Sequence, residues 1–137
     1  MRDHNKLRAF ELADELAIMI YRVTKAFPRE DVFGLTAQTR RAAVSVPSNI
    51  VEGCARESQA DYLRFLEIAF GSLRELHHQC DLAHRLGCVR DARSDLVSKF
   101  DETEKVLAAL LRSMRKPRSP DSLQPTASRT SASPPSA

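Results

Sequence analysis

From Asn5 to Lys116 the chain contains only two prolines, Pro28 and Pro47, and its apolar residues recur at close to 3.6-residue spacing almost throughout. That period puts apolar side chains on one face of a helix, whereas a half-buried strand alternates with period two. No stretch alternates in that way, and only four glycines interrupt the pattern. The chain is therefore expected to be all-α.

Four helices follow from the pattern. Helix A is expected from about Asn5 to Phe27, with Leu7, Phe10, Ala13, Leu16, Ala17, Ile20, Val23 and Phe27 inward. Pro28 ends it, because a residue before proline is pushed out of helical geometry. Helix B is expected from Leu35 to Ala55, with Leu35, Ala42, Ala43, Val46 and Ile50 inward. Ser58 with Asp61 three residues later resembles a capping box and opens helix C, which runs to about Leu86. Its stripe is Tyr62, Phe65, Leu66, Ala69, Leu73, Leu76, Cys80, Ala83 and Leu86, and Gly87 suits the position after a helix. Helix D starts near Asp91 as N-cap and buries Leu96, Val97, Phe100, Leu107, Leu110, Leu111 and Met114. Arg115 and Lys116 suit its negative end. Long helices joined by short connections imply an antiparallel up-down four-helix bundle over residues 1–116.

Residues 117–137, "PRSPDSLQPTASRTSASPPSA", hold one Leu and no aromatic residue. Such a segment cannot bury enough surface to offset chain entropy, so a disordered C-terminal tail is expected. The whole chain has 21 Lys plus Arg against 18 Asp plus Glu. Setting aside Arg118, Arg129 and Asp121 of the tail leaves 19 against 17. An anionic partner must therefore be met by a local patch rather than by net charge. Cys54, Cys80 and Cys88 are odd in number and lack a CxxC pair, which argues against a disulfide framework and for a reducing compartment. The charged start, "MRDHNKLRAF", offers neither a signal peptide nor a membrane span, so a cytoplasmic protein without membrane contact is expected.

The stretch "QTRRAAVSVPSNIVEG", residues 38–53, places Pro47 inside helix B among Ser45, Ser48, Asn49 and Glu52. Pro47 removes one backbone donor and frees the Ala43 carbonyl. One reading is a single helix with local polar repair. A second restarts the helix, with Asn49 as N-cap and Glu52 at its third position. A third directs the line Arg41, Ser45, Ser48 and Glu52 at another subunit or a ligand. Helices B and C form a hairpin turning near Glu57, which brings Arg41 level with Glu75. The same count sets Ala42 and Ala43 against Gly71 and Ser72. Close approach of the two backbones would justify Gly71 inside a helix, at a cost of about 1 kcal/mol relative to Ala.

The segment Phe33 to Gly53, followed by "YLRFLEIAFGSLRELHHQCDLAHRLG" from Tyr62 to Gly87, resembles the four-helix-bundle proteins of the 23S rRNA intervening-sequence family. These are similar to the accessory variability determinant of diversity-generating retroelements. The resemblance rests on Gln38, Arg41, Ala42, Ser45, Asn49, Ile50, Glu52 and Gly53, and then on Gly71, Ser72, Glu75 and Leu76. It covers about residues 7–115 and is specific in helices B and C. It implies a bundle assembling into a ring-like homopentamer with no known enzymatic activity, and no cofactor is expected. In the retroelement branch it implies a basic barrel that binds nucleic acid and a reverse transcriptase; this chain is much less basic. With the resemblance, residues 38–53 read as one helix bent at Pro47, whose polar line serves packing or assembly.

Catalytic and metal chemistry find little footing. Glu75 and His78 have the E-x-x-H spacing of di-iron bundles, but no second E-x-x-H exists. His77, Cys80 and His84 share a helix face without an evident fourth ligand for zinc. Ser45, Ser48 and Ser72 lack a nucleophile elbow, and no phosphate-binding glycine loop is present. Arginines remain: Arg40, Arg56, Arg64, Arg74 and Arg85, with Arg90 and Arg93, spread over helices B and C and the turn beyond. A fivefold ring would repeat each, giving salt-dependent binding of RNA or DNA. No aromatic residues interleave with them for base stacking. The expected function is a non-enzymatic oligomeric module binding nucleic acid. The alternative is a scaffold for a reverse transcriptase or another protein.

Overall fold

The structure is a computed structural model and describes residues 2–89 and 93–115. The expectations for Arg90, the Asp91 cap, Lys116 and the tail lie outside these residues, as do the side chains of Asp31, Val32, Phe33 and Arg93. Four helices form: α1 (Arg8–Thr24), α2 (Ala37–Cys54), α3 (Gln59–Arg85) and α4 (Arg93–Arg115). They pack as an antiparallel up-down bundle in which α1 and α3 each lie beside α2 and α4. At 27 residues, α3 is about 40 Å long.

The helix ends show why the sequence breaks where it does. The expected helix A is shorter at both ends. Leu7 is extended (φ −91°, ψ 126°), and a single 3-10 turn, His4–Lys6, precedes it under an Asp3 cap. After Thr24 the chain tightens into i→i−3 bonds, Phe27 to Thr24 among them at 3.1 Å, before Pro28. A wide turn, Val32–Thr36, precedes α2, with Gly34 in a non-helical conformation (φ −104°, ψ −108°). So α2 starts at Ala37, two residues after the expected Leu35. Ser58 caps α3 by accepting from the Asp61 N–H at 3.0 Å, as its spacing predicts. At the other end Gly87 takes φ +83°, and Cys88 N–H reaches the Ala83 carbonyl at 2.9 Å. This is a Schellman closure, which the left-handed glycine permits.

The core contains Leu12, Leu16, Ile20, Val46, Ile50, Leu66, Leu73, Leu76, Phe100 and Leu107, each nearly or fully shielded from solvent. Burying an aliphatic or phenyl side chain of this size contributes about 1.5–3 kcal/mol. Several positions differ from the periodic reading. Leu12, Ala9, Thr39 and Thr103 are core residues that it missed. The two threonines fit because each hydroxyl donates to the carbonyl four residues back, Thr39 to Leu35 at 2.7 Å and Thr103 to Lys99 at 2.6 Å. Leu86 is 66 % exposed, because it caps α3 beyond its last packed turn, and Val97 also faces outward.

The close approach expected at Gly71 occurs at Gly53 instead. Gly71 is exposed, and a Cβ there would meet nothing within 4 Å, so it does not bring α2 and α3 together. A Cβ at Gly53 would stand 2.9 Å from the Phe65 Cβ and 3.4 Å from the Tyr62 carbonyl. The close approach occurs next to the turn, where the two helices are forced to converge. Gly53→Ala should therefore destabilise by about 1–3 kcal/mol through overpacking. Gly71→Ala should instead stabilise by up to about 1 kcal/mol through helix propensity. Urea unfolding of both variants checks this; the opposite order of stabilities would contradict the assignment.

Candidate functional site

Helix α2 runs unbroken through the buried Pro47, so Asn49 is not the cap of a second helix. Its amide nitrogen donates to the Ser45 carbonyl at 2.8 Å and to the Ser45 hydroxyl at 2.9 Å. Ser45 in turn shares a 2.8 Å hydrogen bond with Ser72 of α3. The polar groups around Pro47 thus form one chain, Asn49–Ser45–Ser72, that clasps α2 to α3. All three residues are half-buried. Arg41, Ser48 and Glu52 are exposed, so the expected polar line divides into an inner and an outer part.

The expected pairing of Arg41 with Glu75 does not form. Arg41 points to solvent without a carboxylate partner among the described residues. Glu75 instead accepts from the buried Gln79 at 3.1 Å on its own helix. Being level along a hairpin is not enough: each side chain must also face the seam, and here the serines do. Of the remaining motif residues, Gln38 is exposed, and Gly53 is buried beneath Phe65 and Tyr62.

The five arginines do not form one patch. Arg40 is half-buried between α1 and α2. Its Nε donates to Thr24 Oγ1 at 2.7 Å and its Nη2 to the Tyr21 carbonyl at 3.4 Å, while the guanidinium lies over the Tyr21 ring. The other four are exposed and each faces a carboxylate: Arg56 with Glu52 (3.3 Å), Arg64 with Asp61 (3.9 Å), Arg74 with Glu104 (3.1 Å) and Arg85 with Asp81 (3.2 Å). The aromatic rings beside Arg56, Arg64 and Arg2 are buried or half-buried rather than on an exposed face. Arg56 and Arg64 both stack near Phe65, and Arg2 lies 3.9 Å over Tyr62. The arginines cover these rings, so the rings are not offered to bases. Arg2 escaped the sequence reading because its register against the α2–α3 turn depends on a tertiary bond, Arg2 N–H to the Cys54 carbonyl at 3.0 Å.

The histidine–cysteine face of α3 meets α4. His77 stacks on Phe100 (4.6 Å between centroids, 11°), and its Nδ1 lies 2.9 Å from Glu104 Oε1. His77, Cys80, Asp81 and His84 line a cavity of about 40 Å³ with Leu96 and Phe100. Among the described residues, no three His, Cys, Asp or Glu side chains converge in a way that could hold a metal ion. Burial pushes the Cys80 thiol up to about 12, so it is protonated at neutral pH and is a poor ligand or nucleophile. None of the three cysteines forms a disulfide among the described residues, and all three are buried. No helix among the described residues is long and apolar enough to cross a membrane.

The Cys80 thiol ionises near pH 9 in the unfolded chain and near 12 in the folded one. Its contribution to stability is therefore fully present below pH 9 and declines as the pH rises from 9 towards 12. Cys80→Ala should flatten part of that alkaline decline, measured as urea midpoints at neutral pH and inside this window. Parallel declines in both proteins would contradict the burial argument.

The family model described as 23S rRNA-intervening sequence protein matches residues 5–109. The chain belongs to that family. Its fold is similar to the crystal structure of a protein of unknown function from the S23 ribosomal protein family of Bacteroides thetaiotaomicron. That likeness has a TM-score of 0.69 at 23 % identity and covers 76 % of this chain and 95 % of the other. No curated protein is significantly similar in sequence.

Proposed function

We propose, with membership of the intervening-sequence family as premise, that this protein is a non-enzymatic module that self-associates and binds RNA or DNA as an assembly. The observation that carries the reading is an apolar groove on the outer side of α1 and α2. Ile18, Tyr21 and Val44 line it and are 48 %, 42 % and 43 % exposed. Val51 extends the same face of α2 two turns further on, and α3 exposes Ile68. Contiguous exposed apolar side chains of this kind mark association surfaces. The family resemblance makes the assembly a ring of five. The unbridged cysteines support a reducing, cytoplasmic setting.

In such a ring Arg56, Arg64, Arg74 and Arg85 recur in every subunit. Their exposed ion pairs are each worth about 0–1 kcal/mol, so nucleic-acid phosphates can compete for them. The same ion pairs favour a second reading. Arginines already neutralised locally suit a scaffold whose client is a protein, such as a reverse transcriptase, rather than nucleic acid.

Sedimentation of the full chain should show an oligomer, and Val44→Arg should reduce it to a folded monomer. A wild-type monomer would remove the assembly reading. For nucleic acid, binding of single-stranded RNA and duplex DNA should weaken steeply with added salt. Absent or salt-insensitive binding would favour the scaffold.

A further inference from the structure

The corner where α1 ends and α2 begins holds a cavity of about 450 Å³. Lys25, Arg29 and Arg40 line it, with Thr24, Thr36 and Phe27, and no lining residue is acidic. Among the described residues none of the three cations has a carboxylate within ion-pair distance, unlike the arginines of α3. The C-terminal end of α1 contributes a partial negative charge of only about half a unit. Three full positive charges therefore face one cavity with no carboxylate among the residues that line it. Like charges lining one cavity repel unless an anion joins them.

Two further features prepare the site. Arg40 is held rigidly by Thr24, the Tyr21 carbonyl and the Tyr21 ring, so its guanidinium loses little freedom on meeting a ligand. Thr36 is 4 % exposed, and its hydroxyl has no hydrogen-bond partner. A buried hydroxyl without a partner is unfavourable. Thr36 is one of the residues that line the cavity, and an oxyanion there is the kind of partner its hydroxyl lacks.

We propose that this corner binds a phosphate group. Two guanidinium groups and an ammonium suit a doubly charged tetrahedral anion better than a single carboxylate, and arginine's planar fork matches phosphate oxygens. Lys25 and Arg29 are exposed and supply charge, Arg40 is the fixed donor, and Thr36 adds a hydroxyl. The site stands independently of the ring arginines, because Arg40 is turned inward to this seam.

The test is a titration of the full-length chain with inorganic phosphate, followed by amide NMR shifts at Thr36, Ala37 and Arg40 against chloride at equal ionic strength. Saturable shifts confined to this corner are expected. The double variant Lys25→Ala, Arg29→Ala, at exposed positions, should weaken binding by about tenfold or more. Shifts no larger than with chloride, or unchanged affinity in the variant, would overturn the proposal. Once phosphate binding is shown, RNA with a 5′-phosphate and the same RNA with a 5′-hydroxyl assign its source. Preference for the phosphorylated strand places a nucleic-acid end here, and equal binding assigns a free phosphate compound; both outcomes uphold the site.

Discussion

The approach of α2 to α3 beside their turn is the constraint on which the rest of the bundle depends. Gly53 lets the α2 backbone rest against Tyr62 and Phe65, at a separation that any Cβ would violate. About 12 Å of helix away, roughly two turns, the Ser45–Ser72 hydrogen bond holds the same seam. Between these points Val46, Ile50, Leu66 and Ala69 are sealed from water. The N-terminal segment then docks on this corner, with Arg2 bonded to the Cys54 carbonyl and laid over Tyr62.

Pro47 stands in the same stretch of α2 as the residues that bind this helix to α3. A proline in a helix interior removes a donor and normally costs about 3 kcal/mol or more. The carbonyl it leaves without a helical donor is that of Ala43; Asn49 donates instead to the Ser45 carbonyl, and the Ser45 hydroxyl joins Ser72 of α3. The serines and the asparagine beside the proline thus form a network that pairs α2 with α3.

The charges follow a similar logic. Long cationic side chains spend their stems on packing and their heads on the nearest carboxylate. Glu15 shows the effect: the hydrogen bond from Lys99, at 2.6 Å, lowers its carboxyl below the ordinary range. Arg74 and His77 both reach the mostly shielded Glu104, which ties α3 to α4. What distinguishes the α1–α2 corner is that its cations converge without such a partner among the described residues.

The sequence by itself determined the helices, the Ser58 cap, the glycine after α3 and most of the core, because local backbone preference and a 3.6-residue period act over a few residues. Its resemblance to the intervening-sequence proteins was legible in helices B and C, which lie within the family match over residues 5–109. Only the tertiary structure decided which small residue permits the close approach, that Ser45 rather than Arg41 crosses the seam, and that Arg40 turns inward. Those outcomes depend on the rotation of each helix about its own axis. A rotation of one residue is about 100°, enough to exchange a seam position for a solvent position, and it is set by packing among segments distant in the chain.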